Sequence, residues 1–387
     1  MGIRMLCAYT EEIDDADDAL DELFEQMDEG AFDEHSLGLI ACPTDFIDSG
    51  VVGALIERLP FDCVGITTMA GASCGGFGKY RLTLIVLTSD DARFAVDATL
   101  PLERDNFEAN IRESYRRASD VFPGESPDLI LGFFPLLQSV GGEEMLIVLD
   151  EVCGSVPIWG GLSSGDNMSF DTCRTICNDV IDREVMAMVL IYGDIDPEFI
   201  VTSIPDKNIR EHKVTITSSD GAVLKTVNDM PFIEYIDRLG VPRDETGGYT
   251  RLPLLLDYGD GSKPVALAIY SLNEEEGSAV CGGIMPLGAQ IAFGVIDREG
   301  ILDTAAASLR EIRADTTHAN ALMFPCVTRY LMLSPDSDDE MESVLGQIDA
   351  TMPYALCYVG GEICPIRTAD GRWKNRFHNY TFTACMF

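Results

Sequence analysis

The sequence predicts an α+β protein of two domains, 1–198 and 199–387, made of repeated helix-strand-helix-strand-loop-strand units with large, mainly antiparallel sheets. Three observations predict this. Segments with apolar residues at helical spacing alternate with short apolar runs bounded by Gly, Asp and Ser. The order of these segments recurs, which marks a repeated supersecondary unit. Small-residue loops return within that order at Gly71, Gly160 and Gly282.

Residues 16–29 place Ala16, Leu20, Leu23, Phe24 and Met27 on one helical face. HSLGLIAC (35–42) reads as a buried strand and VVGALIERL (51–59) as a second helix. The strand of CVGITTMAGASCGGFG (63–78) runs into a Gly/Ser loop, and RLTLIVLTS (81–89) closes the unit. The same order returns as a helix over 106–122, a strand over 127–135 and a helix over 143–154. A strand with the loop GGLSSGDN (160–167) and a long strand over 184–194 complete this copy.

A third, altered copy begins near residue 199 with a hairpin turning at Asp220-Gly221, a short helix over 230–241 and strands over 252–259 and 264–272. The fourth has a helix over 300–314, the strand ANALMFPCV (319–327) and a helix over 338–351 capped by Ser337. In the tail, the apolar runs Tyr354–Val359 and Tyr380–Phe387 are expected to fold into a hairpin about Ala369-Asp370-Gly371. The Asp-rich turn Asp194–Pro197 marks the domain boundary.

At 387 residues with 46% hydrophobic and 24% charged residues, the chain is long enough for two or three domains and is not disordered. A net charge of −38, with six lysines among 27 basic residues, argues against nucleic acid and anionic membranes as partners. No apolar run reaches the roughly 20 residues that span a bilayer, and the acidic start lacks a secretory h-region. The twelve cysteines sit mostly in apolar strings and no CxxC occurs, as expected of reduced, packed thiols in a cytoplasmic protein. The four histidines lack metal-ligand spacing, so no metal and no cofactor is expected.

The Gly/Ser loops match neither nucleotide-binding pattern, being set between strands. Two readings stand for them: tight turns with close strand packing, or backbone N–H groups with Ser73, Gly161, Ser163 and Ser164 lining a small-molecule pocket. Cys326, in FPCVTR with Arg329 three residues on, is a packed thiol, a ligand-lining one, or a nucleophile with His378 as base. Glu362, Asn375, Arg376, His378 and Asn379 form the densest polar group of the chain. They are either a solvated hairpin end or a clamp for a zwitterion. In the clamp, Arg376 or Arg329 takes a carboxylate and Glu362 an ammonium.

The string GGEICPI…NRFHNYTF resembles the C-terminal end of the FIST domain, named for F-box and intracellular signal transduction proteins. MFPCVTRYLML, PLGAQIAFG (286–294) and DGAVLKTVNDMPFIEYIDRLG (220–240) are similar to further segments of that family, and the N-terminal loops resemble its small-residue regions. The first loop reads MAGASCGG and lacks the acid the family usually carries there. The resemblance implies a cytoplasmic, non-catalytic sensory protein that binds a small polar ligand such as an amino acid and signals through a separate partner. A cysteine-dependent hydrolase or transferase using Cys326 with His378 is the alternative, and a purely structural interaction module the third.

Overall fold

The computed structural model describes residues 2–73, 75–165, 170–244, 247–348 and 352–387. Cys74 of the first small-residue loop, 166–169 of the second and the last predicted helix's 349–351 lie outside the described residues. Among the described residues there are nine α-helices and four mostly antiparallel sheets, an α+β fold in two domains. No helix there is long and apolar enough to cross a membrane.

Three of the sheets are copies of one plan. In each unit an edge strand leads to a helix, a central strand, further helix, a third strand, a small hairpin and a long return strand. In the first unit these strands are Arg4–Thr10, His35–Cys42, Cys63–Thr67 and the return strand Leu82–Ser89. In the second they are Arg93–Ala98, Leu129–Phe134, Ile158–Leu162 and Ala187–Tyr192. In the third they are Glu198–Thr202, Ala321–Pro325, Tyr354–Cys357 and Phe382–Met386. Every copy has the spatial order edge, return, central, third. The central and third strands run parallel, as the helical crossovers between them require, and the return strand is antiparallel to both its neighbours.

Each hairpin leaves its own sheet and extends a neighbour's. The first unit's hairpin (71–73 with 76–78) pairs with Tyr354–Cys357 of the third. The second unit's Thr175–Cys177 pairs with Cys63–Thr67 of the first. The third unit's Glu362–Arg367 pairs with Ile158–Leu162 of the second. The exchange is cyclic, so every sheet is completed by residues of another unit.

Inner faces of the three sheets share one apolar core, which draws Leu39, Val64 and Leu87 from the first, Leu131, Trp159 and Val189 from the second, and Phe199, Phe324 and Cys385 from the third. Trp159 stacks on Phe324 at 4.2 Å between ring centres and joins two of these sheets. The outer faces are covered by helices: Ala16–Glu25 with Val51–Arg58 on the first, Phe107–Ser119 with Gly142–Cys153 on the second, and Arg298–Ala314 with Asp339–Gln347 on the third.

Four units were expected, and three are found. The stretch that reads as an altered copy is an insertion between the third unit's edge strand and its first helix. It forms the fourth sheet, from Val214–Asp220 to Gln290–Phe293, with the helix Phe232–Arg238. Its hairpin turns at Gly221 with φ of 56°, as the Asp-Gly pair foretells. The two apolar runs of the tail do not pair with each other, because Ala321–Pro325 lies between them. The hairpin at Gly371 instead joins Glu362–Arg367 to Trp373–His378. The helix expected from 338 begins at Asp339 after Asp338, which makes no side-chain cap bond, so Ser337 is not its cap.

Candidate functional site

The small-residue loops follow the third strand of each unit, and there the three units are laced together. In each unit the first loop residues repeat one bond: the N–H of Thr68, Ser163 and Val359 donates to the carbonyl of Cys42, Phe134 and Pro325 respectively. Between units, Ser164 N–H donates to Thr67 O at 3.0 Å, Gly360 N–H to Leu162 O at 2.8 Å and Tyr358 N–H to Ala70 O at 3.2 Å. Thr68 and Ser164 hydroxyls both donate to Tyr358 O, at 2.8 and 2.9 Å. Small residues are needed for this approach. A Cβ on Gly161 would sit 2.9 Å from Val359, and one on Gly282 would sit 2.0 Å from Asn379 Oδ1.

Glu362 stands at this junction. It opens its strand opposite Gly161 on one side and His378 on the other and is wholly buried. Its Oε2 accepts from Thr381 N–H at 3.0 Å and from the Thr381 hydroxyl at 2.5 Å. Its Oε1 has no hydrogen-bond partner, and neither has the buried Ser163 Oγ, two residues along from Gly161. Burial pushes the Glu362 carboxyl up to about 8, against the two Thr381 bonds and a weaker pull from the Cys326 thiol that hold it down.

The Cys326 thiol lies against this carboxyl and is buried. Burial first, and the Glu362 charge second, raise it well above the ordinary thiol value. The ring of His378 is engaged elsewhere: Nε2 donates to Cys364 O at 3.0 Å, and burial lowers the imidazole to about 4, keeping it neutral.

The other predicted residues are joined mainly to partners that the sequence motif does not contain. Arg329 is fully buried and gives Nε and Nη2 to Glu340, at 3.0 and 2.5 Å. Its remaining donors go to Thr304 Oγ1 and to the carbonyls of Ile301 and Tyr380. Arg376 pairs with Asp260 at 2.5 Å and lies over the Tyr258 ring, leaving its Nε without a partner. Asn375 takes Ile158 N–H on Oδ1 and gives Nδ2 to Asp150 and Val156 O, fastening the hairpin to the start of a third strand. Asn379 takes Ala268 N–H on Oδ1, tying the inserted sheet to the tail. Cys326, Glu362, Ser163 and Asn379 thus gather near the junction, whereas Arg329, Asn375 and Arg376 are held by their own partners.

Two members of the cluster escaped the sequence reading. Thr381 sits in HNYTF and reads as a strand residue, yet it makes both bonds to Glu362. Tyr270, in ALAIYSL, is 54% exposed, yet its hydroxyl accepts from Asn379 Nδ2 at 3.3 Å. A tyrosine in an apolar run, with a polar tip needing a partner, is the signal that was available.

Thr381 and His378 also line a groove of about 720 Å³ on the side of the edge strand Glu198–Thr202. Its other walls are the helix Arg298–Ala314 and the hairpin residues Pro365, Ile366, Arg367 and Trp373.

No curated protein matches the chain. Among solved structures, a cyanuric acid hydrolase from A. caulinodans aligns over 99% of this chain and 98% of its own, at 8% identity and a TM-score of 0.38. That likeness is too distant to carry any argument about chemistry. The FIST N domain matches residues 36–230 and the FIST C domain residues 232–365. Together these span most of the sequence, and the chain belongs to the FIST family of sensory, signal-transduction domains.

Proposed function

We propose that the chain is a cytoplasmic sensory protein that binds a small polar molecule such as an amino acid at the junction of its three units and signals through a separate protein. The observation that carries this reading is the pair of buried oxygens without partners, Glu362 Oε1 and Ser163 Oγ. A buried polar atom left unpaired costs about 1–3 kcal/mol, and a ligand that supplies donors recovers it. An ammonium group fits Glu362 on charge and on donor count, and it would draw the raised carboxyl back toward its ionised form. Ser163 offers a hydroxyl to the same ligand's oxygen. A catalytic thiolate at Cys326 is disfavoured, since burial and the adjacent carboxyl both hold the thiol protonated.

The test is a thermal-shift series at neutral pH with amino acids and with the matching carboxylates that lack the amine. The amino acids should stabilise the protein and the amine-free compounds should not, and Glu362→Gln should abolish the difference. Equal stabilisation by both sets, or none by either, would overturn the reading.

A further inference from the structure

The edge strand Glu198–Thr202 is bonded on one side only. Its partner is Phe382–Met386, and among the described residues no strand pairs with its other edge. A bare edge presents main-chain donors and acceptors to any strand that can reach it, which proteins ordinarily block or cover. Here the edge is recessed instead. It forms one wall of the 720 Å³ groove, with the helix residues Asp303, Ala307 and Glu311 on one flank and the hairpin residues Ile366 and Trp373 on another. Such a recess keeps out a second folded sheet but has the form of a slot for one extended chain. Five residues of strand give it a length of about 17 Å.

The lining has two characters. Val201, Ile204, Leu255 and Ile366 supply an apolar surface. The charges are Glu198, Asp206, Asp303 and Glu311 against Lys263 and Arg367. Arg367 is spent on Glu198 at 2.9 Å, and Asp303 is held by Lys207 at 2.9 Å. Among the described residues Asp206 and Glu311 carry no ion pair, nor does Lys263, so the rim keeps a net negative charge. From these observations we propose that the groove docks an extended segment of a partner protein, with cationic and apolar residues alternating, by adding it as a strand to the free edge of Glu198–Thr202. Alternation follows from strand geometry, since successive side chains would face the apolar surface and the acidic rim in turn. The proposal concerns the outer groove and does not depend on Glu362, so the small-ligand reading can fail while this one stands.

The test uses fluorescently labelled acetyl-KVKVKV-amide and two controls, acetyl-EVEVEV-amide and the cationic peptide N-methylated at alternate residues. The full protein should bind the cationic peptide saturably, with affinity falling as salt is raised. Asp206→Lys with Glu311→Lys, both surface changes, should weaken binding by about tenfold or more. N-methylation, which removes main-chain donors and keeps the charges, should abolish it. Val201→Trp, checked for native circular dichroism, should block the groove. No saturable binding at millimolar peptide, equal binding of the acidic peptide, or undiminished binding of the N-methylated one would each overturn the proposal. So would a concentration-dependent dimer that Val201→Trp disperses, since that would assign the edge to a second copy of the chain.

Discussion

At the scale of single residues, Glu362 and Arg329 represent opposite ways to bury a charge. Arg329 meets a carboxylate, two carbonyls and a hydroxyl, and every nitrogen is used. Removing one partner of such a pair leaves the other uncompensated, so Arg329→Met should cost about 3–5 kcal/mol in urea unfolding. The double change Arg329→Met with Glu340→Leu should recover part of that, and no recovery would mean that packing rather than charge dominates. Glu362 has no cation bonded to it and adjusts by holding its proton. A carboxyl whose folded value, about 8, lies above its ordinary 4.5 binds more protons when folded. Its stabilising contribution is therefore full below about 4.5 and is lost as pH rises through about 8. Melting curves of the protein and of Glu362→Gln should show the wild-type advantage shrinking across that window, and a constant difference would contradict the raised value. The sequence sets Glu362 with Asn375, Arg376, His378 and Asn379, and Cys326 with Arg329 and His378, and it leaves the contact between Cys326 and Glu362 unseen. It concealed which were free, because the partners Glu340, Asp150 and Asp260 lie in helices and turns far outside the motif.

At the scale of elements, what was legible depended on burial. Strands buried on both faces, such as His35–Cys42 and Leu82–Ser89, stand out as apolar runs, and amphipathic helices such as Phe107–Ser119 stand out by their spacing. The three edge strands carry no such signal. Arg4–Thr10, Arg93–Ala98 and Glu198–Thr202 mix buried and half-buried positions, and Arg4, Arg93, Asp97 and Glu198 interrupt their apolar character. The hairpin exchange was also hidden, since pairing between distant units leaves no local trace. It can be tested at Asn375, whose side chain fastens the exchanged hairpin to the strand Ile158–Leu162. Asn375→Ala would strand the buried Ile158 N–H and Val156 carbonyl, and a loss of about 1–3 kcal/mol in denaturant unfolding is expected. Asn375→Asp keeps the acceptor but sets a second carboxylate against Asp150, so it should be no better than alanine. A neutral alanine variant would show that the strand pairing alone holds the hairpin.

At the scale of the whole molecule, cyclic exchange makes the three units mutually dependent. The proposed division at 198/199 falls after the first residue of the third unit's edge strand and cuts no strand of the first two units. It nevertheless parts Gly71–Ser73 from Tyr354–Cys357 and Ile158–Leu162 from Glu362–Arg367. It also opens the shared inner core, which takes residues from all three sheets, and would expose Trp159 where Phe324 now stacks on it. A fragment of residues 1–198 alone should therefore lack native near-ultraviolet circular dichroism and aggregate, because an exposed apolar sheet face and open strand edges invite association. The fragment 199–387 should fare no better in its third unit, although its inserted sheet keeps its strands together. Co-expression should restore a soluble complex of the two halves, since every lost contact lies between them and none requires the peptide bond at the cut. If 1–198 proves monomeric, with a sharp cooperative melt of its own, the boundary marks an independent folding domain and the exchanged hairpins are ornament. If only the pair folds, the sequence repeat records three units that never fold singly, and the junction at Glu362 exists only when all three are present.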